Sequence, residues 1–217
     1  FISVPAEYEI PARHGCPQFF KRIDRFQKEV KADFVLEPRL TPAEHHTLLV
    51  QGDPQIKNYG VDGSAEAYRS VVIPDMIRMR STIGTPCYGI NLGDLVYNDM
   101  NVYNAYIDNT ERVNTTTFNV IGNHDHCHKY ENDYEAEAEY RKYFGPTYYS
   151  FNIGKVHYVV LDDMLYHGRN KYDRIIAPEQ LAWLYKDLRA LDPEIRQLVV
   201  ACHVPLVANN GAWDDIW

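Results

Sequence analysis

The chain has 217 residues, with 22 Lys plus Arg against 30 Asp plus Glu and a formal net charge of −8. That balance argues against broad binding along a nucleic-acid backbone, which needs a dense basic surface; anionic substrates stay open where a bound cation reverses the local field. Apolar residues at 45% and charged residues at 24% are ordinary for a folded domain, and no apolar run approaches the roughly 18 residues of a membrane span.

Residues 1–45 are punctuated by Pro5, Pro11, Pro17, Pro38 and Pro42 around short extended stretches. They read as the end of a preceding small β domain or as an arm packed on the domain after it, too short to bury a core alone. From Thr47 the pattern becomes strand and helix in alternation. Thr47–Val50 is a short apolar run ending in Gln51-Gly52-Asp53-Pro54-Gln55, and Ser64–Arg80 has helical composition interrupted at Pro74. Cys87–Leu92 is a second run, closed by Gly93-Asp94, and Thr117–Ile121 a third, closed by Gly122-Asn123-His124-Asp125. A helix is predicted over Asp133–Phe144, stopped by Gly145-Pro146. Tyr148–Asn152 and Val156–Leu161 flank Gly154-Lys155 as a hairpin, with Tyr148, Tyr149 and Tyr158 read as core. Pro178 opens an amphipathic helix with Leu181, Leu184, Leu188 and Leu191 on one face. Gln197–Ala201 is a last run, ending in Cys202-His203. Cys16, Cys87, Cys127 and Cys202 form no C-x-x-C pair and read as free thiols.

Four apolar strands thus end in residues capable of chemistry, and open α/β sheets bind ligands beyond the carboxyl ends of their strands. Asp53, Asp94, Asn123 and His203 are oxygen and nitrogen ligands suited to Mn, Fe, Zn or Mg. Two such cations, about 3.5–4 Å apart, generate hydroxide at neutral pH and clamp an in-line phosphoryl displacement. His124 directly follows Asn123 and is placed to protonate a leaving group. A lone Gly-Asp or Asp-Pro is ordinarily a turn; Gly122-Asn123-His124-Asp125 after a strand, with His203 at a later one, is far more specific.

Over residues 47–217 the sequence resembles the calcineurin-like metallophosphoesterase superfamily, through Gly93-Asp94, Gly122-Asn123-His124-Asp125, Gly145–Phe151, Lys155–Asp162, Gln180–Leu184 and Cys202–Leu206. The resemblance implies a four-layer α/β/β/α sandwich with a site for two divalent cations at one sheet edge. It implies Asp94 as the bridging ligand, Asp53 on one metal, Asn123 and His203 on the other, and His124 as general acid. It further implies a small phosphorylated substrate and favours a location outside the cytoplasm.

The departures are specific. Asp-x-His, usual in the first motif, is here Asp53-Pro54-Gln55, the pattern of a bacterial subgroup that also has a preceding small β domain; Gln55 becomes a ligand through its carbonyl oxygen. The Asp and Arg that often follow the second motif are replaced by Tyr97 and Asn98, which leaves Asp99 and Asp125 as candidates to orient His124. His126 and His128 are read as rim residues that touch substrate, in preference to a compact zinc site over Asp125–His128. A closing Gly-His-x-His is absent before Trp217, and the chain starts at Phe1 rather than Met. The expectation is therefore a catalytic domain, 46–217, that lacks its carboxyl-terminal part, with an incomplete site and an inactive fragment. Two alternatives stand beside the hydrolase: a non-catalytic binding or structural module, and a purple-acid-phosphatase-like enzyme in which Tyr97 binds metal. Nuclease activity is disfavoured by the net charge.

Overall fold

In the computed structural model, which describes residues 1–23, 26–41, 43–58 and 64–205, the amino-terminal arm lies against the following domain. It carries a small antiparallel hairpin, β1 (Ala12–Arg13) and β2 (Cys16–Pro17). Val4, Ile10, Phe19 and Ala43 are buried, with the Phe19 ring 4.6 Å from that of Tyr149. Arg39 donates to the Tyr88 hydroxyl at 2.6 Å and the Tyr8 carbonyl at 2.9 Å, and pairs with Glu9 at 3.0 Å.

The three apolar runs that precede the first three motifs form one parallel sheet in the order β3 (Thr47–Gln51), β4 (Cys87–Asn91), β5 (Thr116–Asn119). Gln51, Asn91 and Asn119 are paired in register, so the three following loops leave the sheet at one edge. The Gly15 carbonyl accepts from the Thr117 N–H at 2.8 Å, so the arm covers the outer side of β5. Parallel neighbours need crossovers. The first consists of α1 (Ser64–Ala67), a π-helical turn (Tyr68–Val72) and α2 (Ile73–Ser81). Pro74 sits just after the π-helical turn, where the regular helix ladder is already interrupted. The second crossover is α3 (Tyr103–Glu111). After β5 the helix predicted over Asp133–Phe144 is two helices, α4 (Asp133–Ala136) and α5 (Ala138–Phe144), which break at Glu137.

The second sheet has the order β10 (Gln197–Ala201), β7 (Val156–Val160), β6 (Tyr149–Ile153). β6 and β7 are the expected hairpin, and β10 runs parallel to β7. Between β7 and β10 lie a minor hairpin, β8 (Leu165–Tyr166) with β9 (Tyr172–Asp173), and helix α6 (Pro178–Arg189). The two sheets face each other through Tyr88, Ile90, Phe118, Tyr149, Phe151 and Tyr158. Phe118 stacks on Phe151 with ring centroids 3.6 Å apart. Tyr68, Ile73, Tyr103, Tyr140 and Phe144 cover the outer face of the first sheet. Trp183, Leu184 and Leu188 cover the second by packing on Val159 and Leu161. The result is the four-layer α/β/β/α sandwich. Leu181 departs from the expected stripe, being 38% exposed, and Leu191 lies beyond the end of α6. All four cysteines are free. Among the described residues β3 and β10 are outer strands, with Val50, Leu198 and Val200 exposed, and no helix is long and apolar enough to cross a membrane. Leu206 of the resemblance motif lies outside the described residues.

α6 is also fixed by a polar contact. Asp187 accepts from the Ser150 hydroxyl at 2.7 Å and pairs with His157 Nε2 at 2.9 Å. Burial pushes the Asp187 carboxyl up, but the hydrogen bonds from His157 and Ser150 outweigh it and hold the group below its ordinary value. A lowered folded-state pKa means that this stabilisation is present above the ordinary carboxylate value and is lost as pH falls below it, through the lowered one. Asp187→Ala is expected to cost about 1–3 kcal/mol at neutral pH. Urea denaturation at pH 7 and at pH 2.5 checks this, and the gap to the parent protein should narrow at the lower pH.

Candidate metal centre

Asp53, Asp94, Asn123 and His203 arrive on four different loops at one edge of the sandwich, after β3, β4, β5 and β10. Asp53, Gln55 and Asp94 have φ of 49°, 41° and 52°, in the left-handed region that non-glycine residues seldom adopt. Such strain persists only where surrounding contacts over-determine it, and it clusters at functional sites.

The contacts that fix Asp94 are legible in two glycines and one buried acid. Gly93 has φ of 98°, and a Cβ there would lie 2.7 Å from His203 Nδ1. A Cβ on Gly122 would lie 2.3 Å from both the N and Oδ1 of Asp94. Both positions need glycine because the three loops are pressed together. Asp125, fully buried, clamps two of them. It accepts from the N–H of Leu95 at 3.1 Å and of Gly122 at 3.0 Å, and from the Tyr103 hydroxyl at 3.1 Å. Burial, then the Asp94 charge, pushes the Asp125 carboxyl up to about 7, against the pull of these donors. Asp94 itself accepts from the His124 N–H at 2.8 Å.

His203 joins the second sheet to this cluster. Its Nδ1 lies 2.8 Å from the Leu92 carbonyl, which can only accept, so Nδ1 carries a proton and Nε2 is the nitrogen turned to the cluster. Nε2 lies 3.4 Å from Asp94 Oδ1 and 3.2 Å from Asn123 Oδ1. Asp163, also buried, accepts from the N–H groups of His203 at 3.2 Å and Val204 at 2.8 Å, which fixes the loop. Tyr172 donates to the Asn123 carbonyl at 2.7 Å. Asp53, Asp94 and His203 bring ligand-capable atoms within 4.8 Å of one another. Two carboxylates, an imidazole whose Nε2 is oriented by a backbone carbonyl on its other nitrogen, and a nearby amide oxygen fit divalent cations of the Mn, Fe, Zn or Mg class. Gln55 is turned differently from the expected ligand: its Nε2 donates to Asp94 Oδ2 at 2.8 Å.

His124 lies beside the cluster, with Nε2 3.9 Å from Asp94 Oδ2. Its Nδ1 is 2.8 Å from Asn98 Oδ1, so the partner that orients it is Asn98 and neither Asp99 nor Asp125. Asp99 instead caps the short 3-10 turn Met100–Val102 by accepting from the Asn101 N–H. Asp125 is the clamp between the loops. Tyr97 stacks on the His124 ring at 4.2 Å, and the Lys57 ammonium lies over Tyr97 at 4.1 Å. His126 is not at the rim: it is fully buried, with Nδ1 3.0 Å from the Gly122 carbonyl. His128 pairs through Nε2 with the Tyr172 hydroxyl at 2.8 Å and so supports the Asn123 loop from behind. The roles of Asn98, Asp163 and Tyr172 are not apparent from sequence motifs. Asp163 has a signal, since Leu161-Asp162-Asp163 repeats the pattern of a strand ending in acids.

Gly122→Ala is expected to drive Asp94 off its position and weaken Mn²⁺ binding at this centre by about 10–100-fold, the range for loss of supporting contacts. Equilibrium dialysis, with circular dichroism to check that the fold persists, tests this.

The calcineurin-like phosphoesterase family model matches residues 14–215. No curated protein matches the chain significantly. Among solved structures, the purple acid phosphatase PPD1 from yellow lupin (Lupinus luteus) seeds aligns with a TM-score of 0.51 at 15% identity, over 70% of this chain and 29% of that one. A dimetal phosphatase from Danio rerio aligns with a TM-score of 0.50 at 16% identity, over 74% of this chain and 70% of that one. This chain therefore spans well under half the length of the lupin enzyme, and at these identities the likeness is one of fold. With its family model matched across nearly the whole sequence, the chain belongs to the calcineurin-like phosphoesterase family.

Proposed function

We propose that this domain binds two divalent cations through Asp53, Asp94, Asn123 and His203 and hydrolyses a small phosphomonoester or phosphodiester. The observation that carries this reading is the convergence of Asp53, Asp94 and His203 within 4.8 Å, with His203 Nε2 facing Asp94 at 3.4 Å. Bound cations of this class supply Lewis-acid charge and lower the pKa of an attacking water.

The remaining work falls to the chain's own side chains. Asn98 holds His124 through Nδ1, which leaves Nε2 to face the leaving group. The form in which this ring can act as an acid is the imidazolium. In that form His124 donates its Nε2 proton to the departing oxygen. Tyr97, stacked on the ring, restricts its rotation; this gives Tyr97 a role as a wall rather than as a metal ligand. A location outside the cytoplasm is part of the same proposal and rests on the family resemblance alone.

One observation favours the alternative, a non-catalytic module. The Gln55 amide, as it stands, donates to the Asp94 oxygen that a cation needs. The two readings separate on metal content together with turnover of p-nitrophenyl phosphate and bis(p-nitrophenyl) phosphate in added Mn²⁺. The hydrolase reading expects both metal and turnover from the full-length protein; full-length protein that holds no metal at the centre and cleaves neither ester overturns it.

His124→Ala is expected to keep its metal and lose about 10²–10⁴-fold in turnover. Unchanged turnover would remove His124 from the acid role. Asn98→Ala should lower turnover less and shift the basic limb of the pH–rate profile, the limb a general acid sets, since its contact is to the His124 ring itself.

A further inference from the structure

On the far side of the Gly122–His126 turn from the Asp94 centre lies a second group of ligand-capable side chains. His126, Asp133 and Glu137 bring one ligand atom each within 4.8 Å of one another. The His126 side chain is 0% exposed, yet its Nε2 makes no hydrogen bond and lies 3.5 Å from Asp133 Oδ1, too far for one. Its Nδ1, 3.0 Å from the Gly122 carbonyl, donates there. Nε2 then faces Asp133 and Glu137, and although burial opposes a charge on the ring, the Asp133 and Asp162 carboxylates raise its pKa, so the nitrogen calls for either a proton or a cation. A lone pair facing carboxylate oxygens is repelled by them unless a proton or a cation sits between. Buried polar atoms without a partner are rare enough to require an account.

The charges point the same way. Asp133, Glu137 and Asp162 face a cleft of about 550 Å³ that opens the group to solvent. Glu137 is nearly buried, and its charged neighbour of opposite sign is Arg141, which pairs with it. Three carboxyls face one guanidinium, and Glu137 and Asp162, hydrogen-bonded to each other, do not both carry a charge in so poorly hydrated a place. Burial, then the Asp162 charge, pushes Glu137 far above its ordinary value, and burial also raises Asp162. Protons offset this excess of negative charge, and a divalent cation would replace them. Asp133 is held ready by the Tyr166 N–H, which donates to its Oδ1 at 2.7 Å.

We propose that His126, Asp133 and Glu137 form a second, separate metal site that takes one divalent cation of the zinc or manganese class, with Asp162 beside it and the cleft as its route of access. One imidazole and two carboxylates with room for water is a ligand set that zinc accepts. The site stands apart from the Asp94 centre and does not rest on phosphoester hydrolysis. Binding must release the protons held by the group, so affinity should fall as pH falls.

The test is titration with Co²⁺, a spectroscopic stand-in for zinc, of the intact protein and of Glu137→Gln, Asp133→Asn and Asp94→Asn. Glu137→Gln and Asp133→Asn should each lose one equivalent of bound cobalt and its visible absorption band. Asp94→Asn should still bind at least one equivalent. Asp133 is partly exposed, so Asp133→Asn keeps the test valid if Glu137→Gln does not fold. The proposal is overturned if the folded variants at Asp133 and Glu137 titrate like the intact protein, or if Asp94→Asn binds no cobalt. Neither result depends on whether any phosphoester is cleaved.

Discussion

The site depends on one buried carboxylate. Asp125 accepts hydrogen bonds from the backbone after β4, from the backbone after β5 and from Tyr103 on α3, and thereby ties together two parallel strands and the helix between them. A buried donor that loses its acceptor costs about 1–3 kcal/mol, so this acid holds loops that would otherwise drift. The consequence is the contact between Gly122 and Asp94, too close for any side chain at residue 122. Asp94 is left in a left-handed conformation with its carboxylate beside the His124 N–H and the His203 ring. Strain at Asp53, Gln55 and Asp94 is maintained by that packing.

The second sheet meets this assembly by a corresponding device. Asp163, at the end of β7, receives the N–H groups of His203 and Val204 much as Asp125 receives those of Leu95 and Gly122. His203 then reaches across to the Leu92 carbonyl after β4. Two buried acids position the loops, and the side chains they position face each other at the sandwich edge. The stacked Phe118 and Phe151 rings between the sheets set the separation at which this crossing is possible.

Most of this architecture is legible in sequence because each strand is a short apolar run that stops at a polar motif, a local signal independent of partners. Helix α3 is not. Its sequence, Tyr-Asn-Ala-Tyr-Ile-Asp-Asn-Thr-Glu, is poor in strong helix formers, and its helicity comes from burying Tyr103 and Tyr106. The pairing of His124 with Asn98 spans two loops, whereas nearness in sequence points to Asp125 instead. His126 looks like a rim residue because it adjoins the motif, but the 3-10 turn Asn123–Asp125 ends at His126 and sends its ring into the protein. The arm before residue 45 looks marginal by composition. Phe19 and Arg39 show why it is ordered: one fills the inter-sheet core and the other is nearly buried against Tyr88.

Packing around Asp125 and Asp163 is held to assemble a two-cation centre at Asp94. Electron paramagnetic resonance of the protein loaded with Mn²⁺ tests this most directly, because two ions about 3.5–4 Å apart couple their spins whereas isolated ions do not. A spin-coupled pair signal is expected in the intact protein and should be absent from Asp94→Asn. Isolated Mn²⁺ signals alone, or a coupled signal that survives Asp94→Asn, would contradict it.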